Sequence, residues 1–559
     1  MAPTWHGRSA RWAAGLAAGA LLLTACGGGD SASPQPGEEG GSQEGGVFRF
    51  GITEPTAIDP YNSQESEGQQ VTHKMFVGLT RVDDESQLQP GVATTWETNA
   101  DCSQWTFNLQ PGTTFSNGEV VTAESFIAGM TRAAKGSAAS DVAYHMAGIA
   151  GFAELQGGTA TTFSGLSAPD DNTLIVSMAE PDCEFDTKTT HTVMSPVPST
   201  AGEADNAEYN DMPIGNGPFQ MAEPWQHNTS ITLVPSDAYS FEPKPTLERV
   251  EISILNPANS VDLEYQGFQS GQFDWARMPT PQLSAAKERY EPEGKWIEQQ
   301  TNGMNFLLPI DDAGPTGTLE ARLAISYAID RQAIIDSVLQ GLYTESTTIV
   351  PPVFTDAYQQ GLCESCAEHD PEQAKQYAEQ AGLPSGSTIK LQYNTGAGHE
   401  EWVQAVGQQL QETLGWQVDL QGTPFTQFLD SQQDPGATGL FRFAWGADYP
   451  TPQNFLFPLL STESINRDES GRVVGDNRSR YSNPEFDALL TEASATTDRA
   501  ARIELLQQAE QVAMEDMALI PLWNRSAFRL FDSSKFSGGK LDFFEEVPLD
   551  RISLNSGSG

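Results

Sequence analysis

Thr388-Ile389-Lys390-Leu391-Gln392-Tyr393, the run Glu400 to Leu414, and Trp416-Gln417-Val418-Asp419-Leu420 decide the fold class. The first run alternates apolar and polar residues with the period of a strand. The second places Val403, Val406 and Leu410 on one face of a helix, and the third reads as a strand again. A strand-helix-strand succession implies a parallel pair joined by a crossover, and so an α/β lobe. In open sheets of this kind ligands sit beyond the carboxyl ends of the strands. That rule singles out the loop Asn394-Thr395-Gly396-Ala397-Gly398-His399, and Gly446-Ala447-Asp448-Tyr449-Pro450 after the strand Leu440 to Trp445.

The pattern extends upstream. Ala321 to Gln340 reads as helical, with Asp330 placed to cap a second segment that stops at Gly341. Asp370-Pro371 opens another helix that ends at Gly382. Residues 80 to 210 have a different character: short β-rich runs such as Trp105 to Leu109 and Thr173 to Met178, separated by turn signals, with one helix from Ala123 to Lys135. From Gly215-Asn216-Gly217-Pro218-Phe219 to about residue 300 longer strands return, among them Arg249 to Leu255. Gly46 to Leu79 reads as a strand, the break Asp59-Pro60-Tyr61-Asn62, and a helix from about Gly68 to Gly78.

The amino end is a separate matter. Arg8 and Arg11 precede an apolar stretch, Ala13 to Leu23, too short to span a bilayer, and Leu23-Thr24-Ala25-Cys26 closes it. This is the pattern of a bacterial lipoprotein signal, with the mature chain starting at Cys26; an ordinary secretory signal is the other reading, and both export the chain. Residues 27–46 hold no apolar residue larger than Ala or Pro, so a flexible tether from 26 to 46 is expected, spanning on the order of 25 Å as a coil. With Cys26 lipidated, four cysteines remain for two disulfides: Cys363 with Cys366, and Cys102 with Cys183. Four cysteines allow three pairings, and a zinc site is a weaker rival because one CxxC lacks a second ligand pair.

A formal charge of -45 disfavours nucleic acid and anionic lipid headgroups, which demand a positive face. The chain contains no GxxxxGK[ST], HExxH or GxSxG, so nucleotide hydrolysis and two common hydrolytic mechanisms lack a sequence handle. No metal or cofactor site is expected. Asp448 is the first candidate ligand residue: a carboxylate at a strand's carboxyl end suits an ammonium group, although its residue type also suits a turn before Tyr449-Pro450. Trp445 beside it is either core or the apolar wall of a cleft. Arg442, inside the apolar run Leu440 to Trp445, requires either an internal carboxylate or that of a ligand. The Gly-rich loop from Asn394 is either an anion cradle or a sharp turn.

Asp59-Pro60 with Val77-Gly78-Leu79, Gly215 to Phe219, Gly271-Gln272-Phe273-Asp274-Trp275, Arg322 to Arg331 and Trp445-Gly446-Ala447-Asp448-Tyr449 occur in an order that resembles a family. It is that of the extracytoplasmic solute-binding proteins of ABC importers, in the large peptide-binding group (family 5) that includes oligopeptide-, dipeptide- and nickel-binding members. The resemblance runs from about 47 to 545 and implies a periplasmic-binding-protein-like α/β fold of two large hinged lobes plus a small sheet-rich insertion. The expected segments are a signal at 1–25, the tether, lobe 1 at 47–80, 211–300 and 516–559, the insertion at 81–210, and lobe 2 at 301–515. The resemblance also implies that Asp448 holds a peptide's amino group and Arg442 its carboxylate. Trp445, Gly446, Ala447, Tyr449 and Asn394 would stand around them, and residues flanking Glu67 would contribute backbone from the opposite lobe. The expected function is capture of oligopeptides by a lipid-anchored, monomeric receptor that hands them to separate permease and ATPase subunits. A nickel chelate or an oligosaccharide as solute, a peptide-sensing receptor and a secreted hydrolase are the alternatives.

Overall fold

The computed structural model describes residues 42–43 and 45–556, apart from 84–85, 311–313, 396–397, 468–469 and 474. Cys26, the 1–25 signal and most of the expected tether lie outside the described residues. At the tether's end the structure corrects the reading. Ser42–Gln43 is a short strand paired with Ser553–Asn555, so the chain is pinned four residues before the expected boundary at 46.

The deciding run folds as read. Thr388–Asn394 and Gln417–Thr423 are parallel in continuous register, from Thr388 opposite Gln417 to Asn394 opposite Thr423. Between them helix Glu400–Leu414 buries Trp402, Val403, Val406 and Leu410 against the sheet. This sheet has seven strands and continues through Gly439–Gly446, Trp296–Ile310 and Ile520–Phe531 to Trp275–Ala276, with Thr344–Glu345 paired beside it. The helical stretch from 321 divides where Asp330 accepts a hydrogen bond from the Ala333 N–H (2.9 Å), giving helices Leu319–Ala328 and Arg331–Ser337.

A second sheet joins Val47–Thr53 to Arg249–Leu255 in parallel, with Ser230–Pro235 and Phe219–Met221 beyond. Two segments about two hundred residues apart thus share one core, so this lobe is discontinuous in sequence. The Gly215-Asn216-Gly217 motif secures the junction. The buried Asn216 carboxamide accepts from the Val77 N–H and donates to the Val77 carbonyl, both at 3.0 Å, standing in for a neighbouring strand. A Cβ on Gly215 would fall 1.9 Å from the Met75 carbonyl oxygen, and one on Gly217 2.4 Å from the Met75 carbonyl carbon. Only glycine admits so close an approach. The preceding helix spans Ser66–Met75, earlier than the expected 68 to 78.

The insertion carries its own antiparallel sheet, Ala93–Thr98, Gln104–Leu109, Thr173–Ser177 and Leu166–Asp170, packed on helix Ala123–Ala134. Two buried ionic contacts attach it on opposite sides. Arg132 binds Asp59 of the first lobe through two parallel hydrogen bonds (2.7 and 2.8 Å). Glu184 accepts from Thr451 Oγ1 (2.7 Å) and Arg502 Nε (3.2 Å) of the α/β lobe.

Strands Trp296–Ile310 and Ile520–Phe531 run from one large lobe into the other. Gln300 pairs with Ser526, the register shifts, and Met304 pairs with Asn524. Trp296, Phe528 and Leu530 pack with Phe268 and Tyr290 in a small core, whereas Phe306, Ile520 and Trp523 belong to the large α/β core. The boundary expected at 515 is therefore displaced: Ile520, Leu522 and Trp523 are buried in lobe 2, because strand pairing with Met304 to Leu307 holds them there.

Both expected disulfides are present, Cys102 with Cys183 (Cα–Cα 5.0 Å) and Cys363 with Cys366 (5.2 Å), so their sulfurs are not open to a metal. The first closes a separation of 81 residues and holds the segment that carries Glu184. Replacing Cys102 and Cys183 by Ser is expected to cost about 4 kcal/mol in the chain-entropy treatment, read as a lower midpoint in guanidinium unfolding followed by circular dichroism. An unchanged midpoint would show that the insertion does not depend on this bridge.

Candidate ligand site at the carboxyl end of the α/β sheet

Strand Gly439–Gly446 has partners on both sides, Thr388–Asn394 in parallel and Trp296–Ile310 antiparallel. Its alternation puts Arg442, Ala444 and Gly446 on one face and Phe443 and Trp445 on the other. At its carboxyl end the chain leaves the ladder through Ala447 and Asp448.

Asn454 organises this loop. Lying in the first turn of helix Gln453–Leu460, it accepts through Oδ1 from the Asp448 N–H (2.9 Å) and from Trp445 Nε1 (3.3 Å). Its Nδ2 donates to Asp448 Oδ2 (3.2 Å). The amide aims the carboxylate without neutralising it, and among the described residues Asp448 has no ion-pair partner. Burial pushes its carboxyl up to about 7, and the nearby Asp476 adds to the shift. Burial also raises Asp476, against the opposing pull of Arg478 at 3.9 Å. Tyr144, a half-exposed ring of the insertion, stands near these carboxylates: desolvation by the surrounding protein, then Asp448 and Asp476, raise its hydroxyl above the usual phenol range. Its ring lies 4.2 Å from that of His145, which in turn lies 4.0 Å from His191 and meets Tyr449 edge-on at 6.2 Å. Tyr449 is itself buried, its hydroxyl pushed up to about 12 by desolvation.

Arg442 and Asn394 meet. The Asn394 Oδ1 accepts from both Nε (2.6 Å) and Nη2 of Arg442, whose guanidinium also lies 5.3 Å from the Phe428 ring centre. Of the two partners open to Arg442 on sequence grounds, no internal carboxylate is found among the described residues. Burial lowers its pKa to about 10, and burial with Arg442 and Arg525 nearby holds His399 down at about 3. Gly396 and Ala397 of the Gly-rich loop lie outside the described residues. Gly446 adjoins Asn302, whose Nδ2 donates to the Ala447 carbonyl (3.2 Å) and to the Phe543 carbonyl (2.9 Å).

Glu67 lies in the first turn of helix Ser66–Met75, with its carboxylate 3.8 Å from Arg277, and Glu65 just before the helix is extended. Asn454, Asn302, Tyr144 and Asp476 were not legible as site residues. Only Asn454 had a signal, its place just after Pro450-Thr451-Pro452, where a helix begins.

A carboxylate with no cation and a guanidinium with no carboxylate thus stand along one strand and its exit loop. Each lacks the counter-charge that burial demands, and a zwitterion supplies both. In the free protein the raised Asp448 pKa means that ionisation opposes folding. This cost is absent below about pH 4 and full above about pH 8, and is worth up to about 4 kcal/mol. Asp448→Asn is therefore expected to raise the melting temperature at pH 8 and to leave it nearly unchanged at pH 4. An equal effect at both values would contradict the desolvated carboxylate.

Comparison with known proteins identifies the family. Residues 87–467 match the model of bacterial extracellular solute-binding proteins, family 5 (middle). The oligopeptide-binding protein OppA of Bacillus subtilis is 29% identical over 516 residues, covering 90% of this chain and 92% of that protein. A probable deoxycholate-binding periplasmic protein of Escherichia coli is also 29% identical, over 87% of this chain and 89% of that one. Among solved structures, Haemophilus influenzae OppA in complex with the peptide RPPGFSPFR superposes with a TM-score of 0.73 at 23% identity, over 93% of this chain and all of that one. The family model spans more than half the chain, and the chain belongs to the bacterial extracellular solute-binding proteins of family 5.

Proposed function

We propose that this protein is the peptide-capturing component of an ABC importer. It encloses an oligopeptide between two large lobes and delivers it to separate permease and ATPase subunits, as a monomer held at the outer membrane face by lipid on Cys26. In this reading lobe 1 comprises 47–80, 211–300 and the return segment, lobe 2 starts at 301, and 81–210 is the insertion. The protein is a binding receptor and not an enzyme.

The observation that carries the reading is Asp448, a desolvated carboxylate oriented by Asn454 and lacking a cation among the described residues. A peptide's α-ammonium group supplies that cation, and its carboxylate answers Arg442. The surrounding lobes exclude water, which strengthens both contacts. Closure follows if the ligand touches both lobes, since only contacts made in the closed state shift the equilibrium. A short tether ending near residue 42 keeps the receptor close to its membrane partners.

Calorimetric titration with peptides bearing free or acetylated amino ends tests the anchor. Acetylation is expected to weaken binding roughly 10- to 100-fold, the worth of one charge-assisted hydrogen bond; equal affinities would sink the assignment. The pH dependence has a definite sign. The bound ammonium requires an ionised Asp448, whereas the free carboxyl titrates near 7. Affinity should fall about tenfold per pH unit from pH 7 to 5, and Asp448→Asn should flatten that slope. A second reading, an anionic non-peptide solute, follows from the E. coli relative named for deoxycholate. It predicts binding that is indifferent to Asp448 but lost with Arg442.

A further inference from the structure

Two of the arginines around the cleft lack a carboxylate at ion-pair distance among the described residues, in a chain whose overall charge is -45. Arg277 is accounted for by Glu264 at 2.6 Å and Glu67 at 3.8 Å. Arg525 meets Glu545 at 3.3 Å. Arg442 has only the Asn394 amide and the Phe428 ring, and Arg529 donates Nη1 to the neighbouring Phe528 carbonyl (3.0 Å). Neither Arg442 nor Arg529 has a carboxylate at ion-pair distance among the described residues, whereas Arg525 has Glu545. Arginines left without a carboxylate beside a cleft suit anionic groups from outside the chain.

Arg525 is placed to receive one of them. Its side chain is 39% exposed, and it leaves strand Ile520–Phe531 at the register break. It lies across Gly303, at the register break within Trp296–Ile310, and Gly446, which ends the facing strand Gly439–Gly446 and pairs with Gly303. A Cβ on Gly303 would stand 2.7 Å from its Cδ, and one on Gly446 3.3 Å from its Nη1. Bare backbone at both positions lets the guanidinium lie over the carboxyl end of Gly439–Gly446. Gly446 is four residues beyond Arg442 on the same face and two before Asp448, so Arg525 stands beside the path from the ammonium anchor to the carboxylate anchor. The mutual electrostatic effects agree with this placement. After burial, Arg525 is the charge that lowers Arg442, and it contributes to lowering His399 and Arg529.

We propose that Arg525 selects peptides carrying an acidic side chain, so that the preferred ligand presents two carboxylates, one to Arg442 and one to Arg525. This rests on the peptide reading above and narrows it to a substrate class. Planar bidentate pairing makes arginine suited to such a carboxylate, and its partial exposure leaves it free to change partner from Glu545 to ligand.

The test is a tetra-alanine peptide with Glu or Gln at each of positions 1 to 3, titrated calorimetrically into the wild-type protein and into Arg525→Gln and Arg525→Lys. The readout is the Glu-to-Gln affinity ratio at each position, with melting temperatures measured to verify folding. At one position the wild type is expected to favour Glu at least tenfold. Arg525→Gln should bring that ratio near one, and Arg525→Lys should retain part of it. Glu545→Gln, which removes the competing carboxylate, should widen it. Glu and Gln binding alike at all three positions would overturn the selectivity while leaving peptide capture intact. So would a preference that survives in Arg525→Gln with both affinities lowered equally, which would mark Arg525 as merely structural. If no peptide binds the wild type, peptide capture fails and the selectivity fails with it.

Discussion

Two strands crossing between lobes must keep their backbone groups paired while changing register, and the architecture depends on how they do so. Trp296–Ile310 and Ile520–Phe531 pair on both sides of Thr301-Asn302-Gly303 but not through it. Buried amides released from a ladder need other partners. Side chains take up part of this work: Thr301 Oγ1 donates to the Arg525 carbonyl (3.3 Å), and Asn302 bridges the Ala447 and Phe543 carbonyls. Ala447 precedes Asp448, so the hinge and the ligand loop share one amide. Movement at the break would be felt at the site without any longer path between them.

The same structure separates charges that have an ion-pair partner from charges that have none among the described residues. Asp59 and Arg132 are fully buried and satisfy each other, and Glu184 is held by Thr451 and Arg502. These pairs attach the insertion to both lobes, and breaking one would strand an isolated buried charge. Arg442 is buried and Asp448 half-buried, and among the described residues neither has an ion-pair partner; the amides of Asn394 and Asn454 hold them. An amide orients a charge without cancelling it. Native interiors leave few charges in that condition, and those they do leave concentrate at functional sites.

Local rules made much of this legible. Alternation in Thr388 to Tyr393, the helical face of Val403, Val406 and Leu410, and the caps Asp330 and Asp370 each depend on neighbours a few residues away, and each element formed within a few residues of its expected bounds. Asp448, Trp445 and Arg442 were visible because they share one strand and its exit. The helix expected from about Gly68 begins two residues earlier, at Ser66, so Glu67 falls in its first turn. The boundary at 515 misled because the crossing strand belongs to two cores at once, which its own alternation does not encode.

The sequence by itself determined the α/β class, the sheet-rich insertion and the strand that carries Arg442 and Trp445, since periodicity, caps and turn residues act over short separations. Only the tertiary structure decided which partners the charges have. Asn454, Asn302, Glu184 and Arg525 acquire their roles from residues tens to hundreds of positions away, or from a turn whose geometry no period predicts. Whether a buried carboxylate meets an arginine, an amide or an empty cleft depends on how three cores pack together. That packing gives Asp59 the guanidinium of Arg132 and gives Asp448 the amide of Asn454.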